Sequence, residues 1–429
     1  MQVSTLIKKA LDQEKPAGPL LVENQSTTDW HQWLDSHRQE LLDELRVHGG
    51  ILFRGFSVDT PSDFEAFVGR LIDGWMGYRD RASKRSQVAG NVFTSTDTPR
   101  GFSIPLHNES SFTSRWPQKI FFYCQQPSQE GGRTPIADVR KVYASLDSEV
   151  RDRFEKLGVM YVRNFGPGVG MDWRDVFQVV DTEELEKYCA AASIKPIWLD
   201  DQHLRTIQVR PATLKHPCTG EDLWFNHAMA LHAGSLDQSL RATLERQHGE
   251  ENLPHNTYYG NGEPITDTTF EQIRDAYTRA TCFFEWQSGD VLMLDNLLCA
   301  HGRESYLGDR QVYTAMADPG SWSASGFLLS LSSAEPVISE SRVEHQQKPE
   351  STDANEQVKF EDWFLTAAAR ELEIETVDKT DNFVDLGGDS LSAVALLEES
   401  CQLYGREIDL DVFLSAENIA EIIARMEAV

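Results

Sequence analysis

Residues 333–355, SAEPVISESRVEHQQKPESTDAN, are polar, contain two prolines and show no hydrophobic periodicity. A stretch of that composition cannot build a core and behaves as a linker. It therefore splits the 429 residues into a long part, 1–332, and a short one, 356–429. Two domains are also what this length favours. Charge divides near the same point. From Ser351 to Val429 there are 19 acidic and 5 basic residues, a net of −14. The other 350 residues hold 49 acidic and 35 basic ones, the remaining −14 of the total −28. The pattern is that of a small acidic module on a mildly acidic body. Phosphate backbones would be repelled, so nucleic acid is not an expected partner. Neither is a membrane, because no stretch is apolar enough to span one and MQVSTLIKKALDQEKP lacks a signal-peptide core. Six scattered cysteines without a CxxC pair imply reduced, mostly buried thiols and a cytoplasmic location.

Periodicity sketches the two parts. Trp30 to Arg46 has a helical pattern, and Ile51–Phe53 in HGGILFRGF looks like a buried strand. Between Leu106 and Met316, short apolar runs such as KIFFYC, VMYVRNF, CFFEW and VLMLDN alternate with Gly, Pro and Asp turns. Such spacing favours a β sandwich or barrel decorated by helices. Gln-Ser-Gly-Asp between CFFEW and VLMLDN predicts a hairpin. Beyond the linker, Phe360, Trp363, Phe364, Ala367 and Leu372 share one helical face, and Leu391, Val394, Leu397 and Cys401 another. Ile419, Ile422, Ile423 and Met426 form a third, with Ser415 as the expected N-cap. A small helical bundle follows.

Between the first two of these helices lies DNFVDLGGDSLSAVALLEE, residues 381–399. Gly387 and Gly388 permit a sharp turn, which would place Ser390 at a helix N-terminus where a phosphodiester is favoured. An isolated GGDS would be only a helix cap, but here flanking helices, acidity and domain length agree. The segment resembles the attachment site of peptidyl and acyl carrier proteins. That resemblance implies a four-helix-bundle carrier domain over 356–429, with 4'-phosphopantetheine on Ser390. It also implies docking on partner enzymes.

A second pattern is His107-Asn108-Glu109 in IPLHNESSF. On an extended segment, residues i and i+2 point the same way, so imidazole and carboxylate can converge on one metal. Alone, His-x-Glu is a common surface pair. His301, after the strand VLMLDN, supplies the distal partner, and two histidines with one carboxylate form the facial set that leaves positions open on Fe(II). Those positions suit 2-oxoglutarate and dioxygen (O2). Arg310, nine residues on, can grip the far carboxylate of 2-oxoglutarate, and Thr134 in EGGRTPIADVR can add a hydroxyl. His216, His227, His232 and His255 are expected first to be structural, with His227 and Arg303 also candidate substrate contacts.

These residues resemble the taurine-dioxygenase-like family, through NVFTSTDTP, IPLHNES, GGRTPIADVR, GVMYVRNF, HPCTGEDLWFN, LPHNTYYGNG, WQSGDVLMLDN and AHGR in order. The resemblance is nearest to the branch serving nonribosomal peptide assembly lines, typified by the syringomycin-pathway aspartyl hydroxylase. It implies a double-stranded β-helix (jelly roll) with flanking helices over 1–332. It further implies iron on His107, Glu109 and His301, and 2-oxoglutarate on Thr134 and Arg310. Two departures bear on chemistry. Taurine dioxygenase has a second arginine four residues beyond the co-substrate arginine, for the sulfonate, and here that position is Thr314. Carrier-dependent halogenases lack the carboxylate ligand, which Glu109 provides here, so hydroxylation is expected over chlorination.

The expected enzyme is a dioxygenase of the hydroxylase type, acting at the β-carbon of a carrier-tethered aminoacyl group. Its partners would be a phosphopantetheinyl transferase, an adenylation domain and other nonribosomal peptide synthetase modules. Alternatives are desaturation, cyclisation, oxidation of a free amino acid, or a non-catalytic docking protein with an inactive jelly roll.

Overall fold

The computed structural model describes residues 6–322 and 357–428, apart from 13–17, 26–28, 81–84, 97, 99, 167, 168, 170, 237–240, 243, 246–248, 373, 375, 385, 387, 389, 407, 409–411 and 414. The expected linker, 333–355, lies outside the described residues.

Successive strands of the larger domain step between two sheets. Ile104–His107, Ile136–Asp138, Thr281–Cys282 and Cys299–Arg303 form a four-stranded minor sheet. Arg115–Gln126, Val291–Asp295 and Gln311–Ser321 belong to an eight-stranded major sheet, which also takes Gly50–Arg54. This alternation is that of the expected jelly roll. Within the strand Arg115–Gln126, the run 120–124 is apolar without a break. Ile120, Phe122 and Cys124 face the core between the sheets, while Phe121 and Tyr123 face a second core. A sheet covered on both sides demands apolar residues at every position. The outer cover is helical. Trp30–His48 contributes Trp33, Leu41 and Leu45, and Pro61–Gly69 contributes Phe64 and Phe67. Both helices are locally specified. Asp29 caps the first and Gly49, at φ 72°, ends it. Thr60 and Asp63 make a capping box on the second, with Pro61 in its first turn.

The expected hairpin at Gln287–Asp290 does not form. The turn exists, with Gly289 at φ +85° and the Gln287 N–H donating to Asp290 Oδ2 at 2.8 Å. Its two arms go to different sheets, however: Thr281–Cys282 pairs with Ile136–Asp138, and Val291–Asp295 pairs with Gly50–Arg54 and Arg115–Gln126. Arg54 fastens the turn through Asp290 at 2.9 and 2.7 Å, so a distant contact decides the chain's path.

In the smaller domain the described helices are Gln357–Glu371, Ser390–Tyr404 and Ile419–Glu427. Phe360, Phe364, Ala367, Val394, Leu397, Ile419, Ile422, Ile423 and Met426 meet in one core. The same apolar cluster takes in Ala233, Leu244 and Leu253 of the larger domain. Ser415 is not the cap. Asn418 accepts the Glu421 N–H at 3.0 Å, because it stands directly before the first helical residue. Cys401 and Cys218 are exposed, whereas the other four cysteines are buried, and all are free. Among the described residues no helix is long and apolar enough to cross a membrane.

Candidate metal centre

Strand pairing brings together residues that the chain separates by nearly two hundred positions. His301 lies directly opposite His107 in the minor sheet, with a register shift just beyond it at Arg303. Glu109 follows in the loop after Ile104–His107. One ligand atom each from His107, Glu109 and His301 falls within 4.8 Å of the others. His107 Nδ1 bonds to the Pro105 carbonyl at 2.8 Å, which leaves Nε2 as the free lone pair. Burial pushes the pKa of His107 below the ordinary imidazole value, against the pull of Glu109, and pushes His301 well below it. Neutral imidazoles are the form a metal requires. His301 Nδ1 is buried and has no hydrogen-bond partner among the described residues. Two neutral imidazoles and a carboxylate lining one pocket, His107 half-buried and the other two buried, fit a divalent iron-type ion.

The Glu109 loop is held by a residue that the sequence pattern did not single out. Asn296, fully buried after Val291–Asp295, accepts the Glu109 N–H at 2.7 Å and donates to the carbonyls of Glu109 at 3.0 Å and Pro117 at 2.8 Å. Asn108 donates back to the Asn296 carbonyl at 2.7 Å. This clamp holds a strained turn, since Ser110 takes φ 57°, a left-handed conformation costly for a side-chain-bearing residue. An Asp-Asn pair ending a strand was the available signal, but it looks like an ordinary turn.

Arg85 was also missed. Its Nη2 donates to Glu109 Oε2 at 2.8 Å, each side chain being 5% exposed, and its guanidinium lies 4.4 Å over the Tyr78 ring.

The other candidates line the same pocket. Arg310 gives one N–H to the Gly132 carbonyl at 3.0 Å, and burial lowers its pKa from the guanidinium norm. Gly132, at φ +68°, leaves room for it: a Cβ there would come within 3.1 Å of Arg310 Cδ. Thr134 Oγ1 accepts from Trp286 Nε1 at 3.1 Å. The His227 ring lies 5.1 Å from that of His107 and is anchored by Ser111 Oγ at 2.6 Å. Arg303 borders the pocket, yet its guanidinium donates to the carbonyls of Thr98 at 2.8 Å and Phe102 at 2.6 Å, so it braces the rim. Thr314 is fully buried, and its hydroxyl donates to the Phe121 carbonyl at 2.9 Å. Three further histidines bond within the fold. His216 accepts backbone N–H groups and meets Asp295, His232 caps Gly234, and His255 bonds to the Leu231 carbonyl.

Residues 13–316 match the family described as taurine catabolism dioxygenase TauD, TfdA family. The chain belongs to the TauD/TfdA family. Residues 362–426 of this TauD/TfdA-family protein match the phosphopantetheine attachment site. The dapdiamide synthesis protein DdaC of Enterobacter agglomerans is 39% identical over 275 residues, covering 64% of this chain and 84% of that protein. A clavaminate synthase-like protein of Arabidopsis thaliana is 27% identical over 296 residues, 66% of this chain and 86% of that one. A solved taurine dioxygenase from Burkholderia xenovorans aligns with TM-score 0.45 and 16% identity, over 74% of this chain and 92% of that chain. In the TauD/TfdA-family domain the three-residue cluster lies at the meeting of the two sheets. In the carrier domain Ser390 opens the helix Ser390–Tyr404, with Gly387 and Asp389 outside the described residues.

Proposed function

We propose that this chain is an Fe(II)- and 2-oxoglutarate-dependent hydroxylase whose substrate is an aminoacyl thioester on the phosphopantetheine arm of Ser390. The observation that carries this reading is the convergence of His107, Glu109 and His301 at one end of a pocket that Arg310 and Thr134 also line. His107, Glu109 and His301 would hold iron. Arg310 would grip the far carboxylate of 2-oxoglutarate, with the Thr134 hydroxyl beside it. Such a metal, with 2-oxoglutarate and dioxygen, supplies an oxidant that converts a C–H bond to C–OH while the co-substrate becomes succinate and CO2. Phe122, His227 and Leu231 shape the wall against which the acyl group would be positioned. As a ligand, Glu109 would take the place a halide would need, which favours hydroxylation, assigned to the β-carbon. Thr314, turned into its own sheet, offers nothing to a free sulfonate.

The carrier domain is taken as a four-helix bundle joined by the linker 333–355. Its tether raises the local concentration of a weakly bound acyl group. Similarity to a dapdiamide synthesis protein supports a place among nonribosomal peptide or related pathways, with a phosphopantetheinyl transferase and an adenylating partner loading Ser390.

Intact-mass analysis of the chain after loading and after oxidation tests the proposal. A gain of one oxygen on the pantetheinyl-bound group is expected. Equal turnover of the free amino acid would sink the tethered model, and no adduct on Ser390 would remove the carrier half.

A further inference from the structure

The carrier core does not end at its own helices. Ala233, Leu244 and Leu253 of the larger domain belong to the same buried cluster, and the half-buried Phe102 and Leu236 pack against it. Phe102 lies between Thr98 and Ile104, both of which line the pocket. Its carbonyl and that of Thr98 are held by Arg303, two residues beyond His301 on the same strand. The Arg100 carbonyl accepts the Tyr306 N–H at 3.0 Å, so the rim is pinned at a second point. A continuous path therefore runs from the carrier core through Phe102 and Arg303 to the strand of the metal cluster.

Charge follows the same path. Glu371, the last residue of Gln357–Glu371, has a side chain only 10% exposed. Burial pushes the pKa of its carboxyl up, against the pull first of its neighbour Arg370, 3.7 Å away, and then of Arg100 from the larger domain.

We infer that the rim around Arg100 and Phe102, with Ala233, Leu236, Leu244 and Leu253, is a docking platform for the chain's own carrier domain. Arg100 opposite Glu371 sets the pose in which the arm of Ser390 meets the pocket. This rests on the tethered-substrate reading above and specifies where the tethered domain sits. The contact is small, a few apolar side chains with Arg100 approaching Glu371, and so is weak by itself. Weakness suits its task, because a carrier must leave the pocket to be loaded by another enzyme. The covalent linker compensates by holding the carrier at high effective concentration.

Charge reversal in the full chain tests the platform. Arg100→Glu and Glu371→Arg should each slow oxidation of an acyl group on Ser390 by about fivefold, the order expected for an ion pair near the surface. The double variant Arg100→Glu/Glu371→Arg should recover most of that loss. Phe102→Asp, which places a carboxylate in the apolar contact, should slow it further. Oxidation of the same acyl group offered as a soluble pantetheine thioester should not change in Arg100→Glu. Hydrogen exchange provides a readout independent of turnover. Segment 98–103 should be protected in the parent chain, exchange faster in Arg100→Glu, and regain protection in the double variant. Unchanged exchange and unchanged carrier-bound turnover in all three single variants would overturn the platform. If neither the bound nor the soluble thioester is oxidised, the hydroxylase reading fails, and exchange alone still decides whether the carrier docks here.

Discussion

The candidate metal ligands stand at positions 107, 109 and 301, whereas the carrier motif is one short run of sequence ending at Ser390, which opens the helix Ser390–Tyr404. The first site is made by pairing strands of the minor sheet and is buried among charged groups that need partners. The second is a contiguous sequence motif at a helix start. One consequence is that the two regions should fail independently and for different reasons. Long-range sites depend on the whole sandwich and on buried charge compensation. A local site depends chiefly on its own small bundle, which the contact with Ala233, Leu244 and Leu253 only supplements.

The largest expected effect separates the two chemically. His301→Ala should reduce 2-oxoglutarate consumption to background, while phosphopantetheine loading on Ser390 proceeds as in the parent. Both can be followed on one sample by succinate assay and intact mass, and joint loss would mean the regions are not independent. Next comes Arg85→Leu, which leaves Glu109 buried without its guanidinium partner. Metal-free protein should lose about 3 kcal/mol or more of stability. A bound divalent ion should reduce that loss, because the ion supplies the missing positive charge. Equal losses with and without metal in denaturant titrations would detach Arg85 from the cluster.

Acid should distinguish the regions further. Burial pushes the pKa of His232 down to about 4, and also lowers those of His227 and His255. Below the ordinary imidazole value the unfolded chain binds a proton that the folded chain refuses. Stability is therefore unaffected by His232 above pH ~6.5, and it falls as pH drops from there toward about 4. Full titration of this one group is worth about 3 kcal/mol. His232→Asn keeps an acceptor for the Gly234 N–H and should flatten that slope in urea midpoints measured against pH. Residues 357–429 contain no histidine, so the carrier domain should show the loss only as far as its contact with Ala233 and Leu253 transmits it. The smallest effect is local. Asn418→Ala removes the cap of Ile419–Glu427 and should cost the carrier domain about 1 kcal/mol, with the oxygenase transition unmoved.

Much of this was legible in advance because it depends on short-range rules. Alternation and turn residues marked the strands. Helical spacing marked the faces carrying Phe360, Phe364 and Ile422. His107-x-Glu109 lies on one extended segment, and Arg310 follows His301 closely in sequence. What was not legible depends on partners far along the chain. Asn296 looks like a turn residue until its bonds to Glu109, 187 positions away, are seen. Arg85 belongs to a polar stretch with no pattern of its own. The Gln287–Asp290 turn has hairpin chemistry, yet Arg54 and the major sheet send its arms apart.

The sequence by itself determined that there are two domains, that one is a strand-rich sandwich and the other an acidic helical module, and which residue types could bind a metal or an acyl arm. These follow from composition, period and local backbone preference, all of which act over a few residues. The tertiary structure alone decided that His301 faces His107 across a strand pair, that Arg85 meets Glu109, and that Arg303 braces the rim. It also decided that the carrier core merges with Ala233 and Leu253. Those are contacts between surfaces, and which surfaces meet is set by burying both faces of a sheet at once, a condition that no single segment encodes.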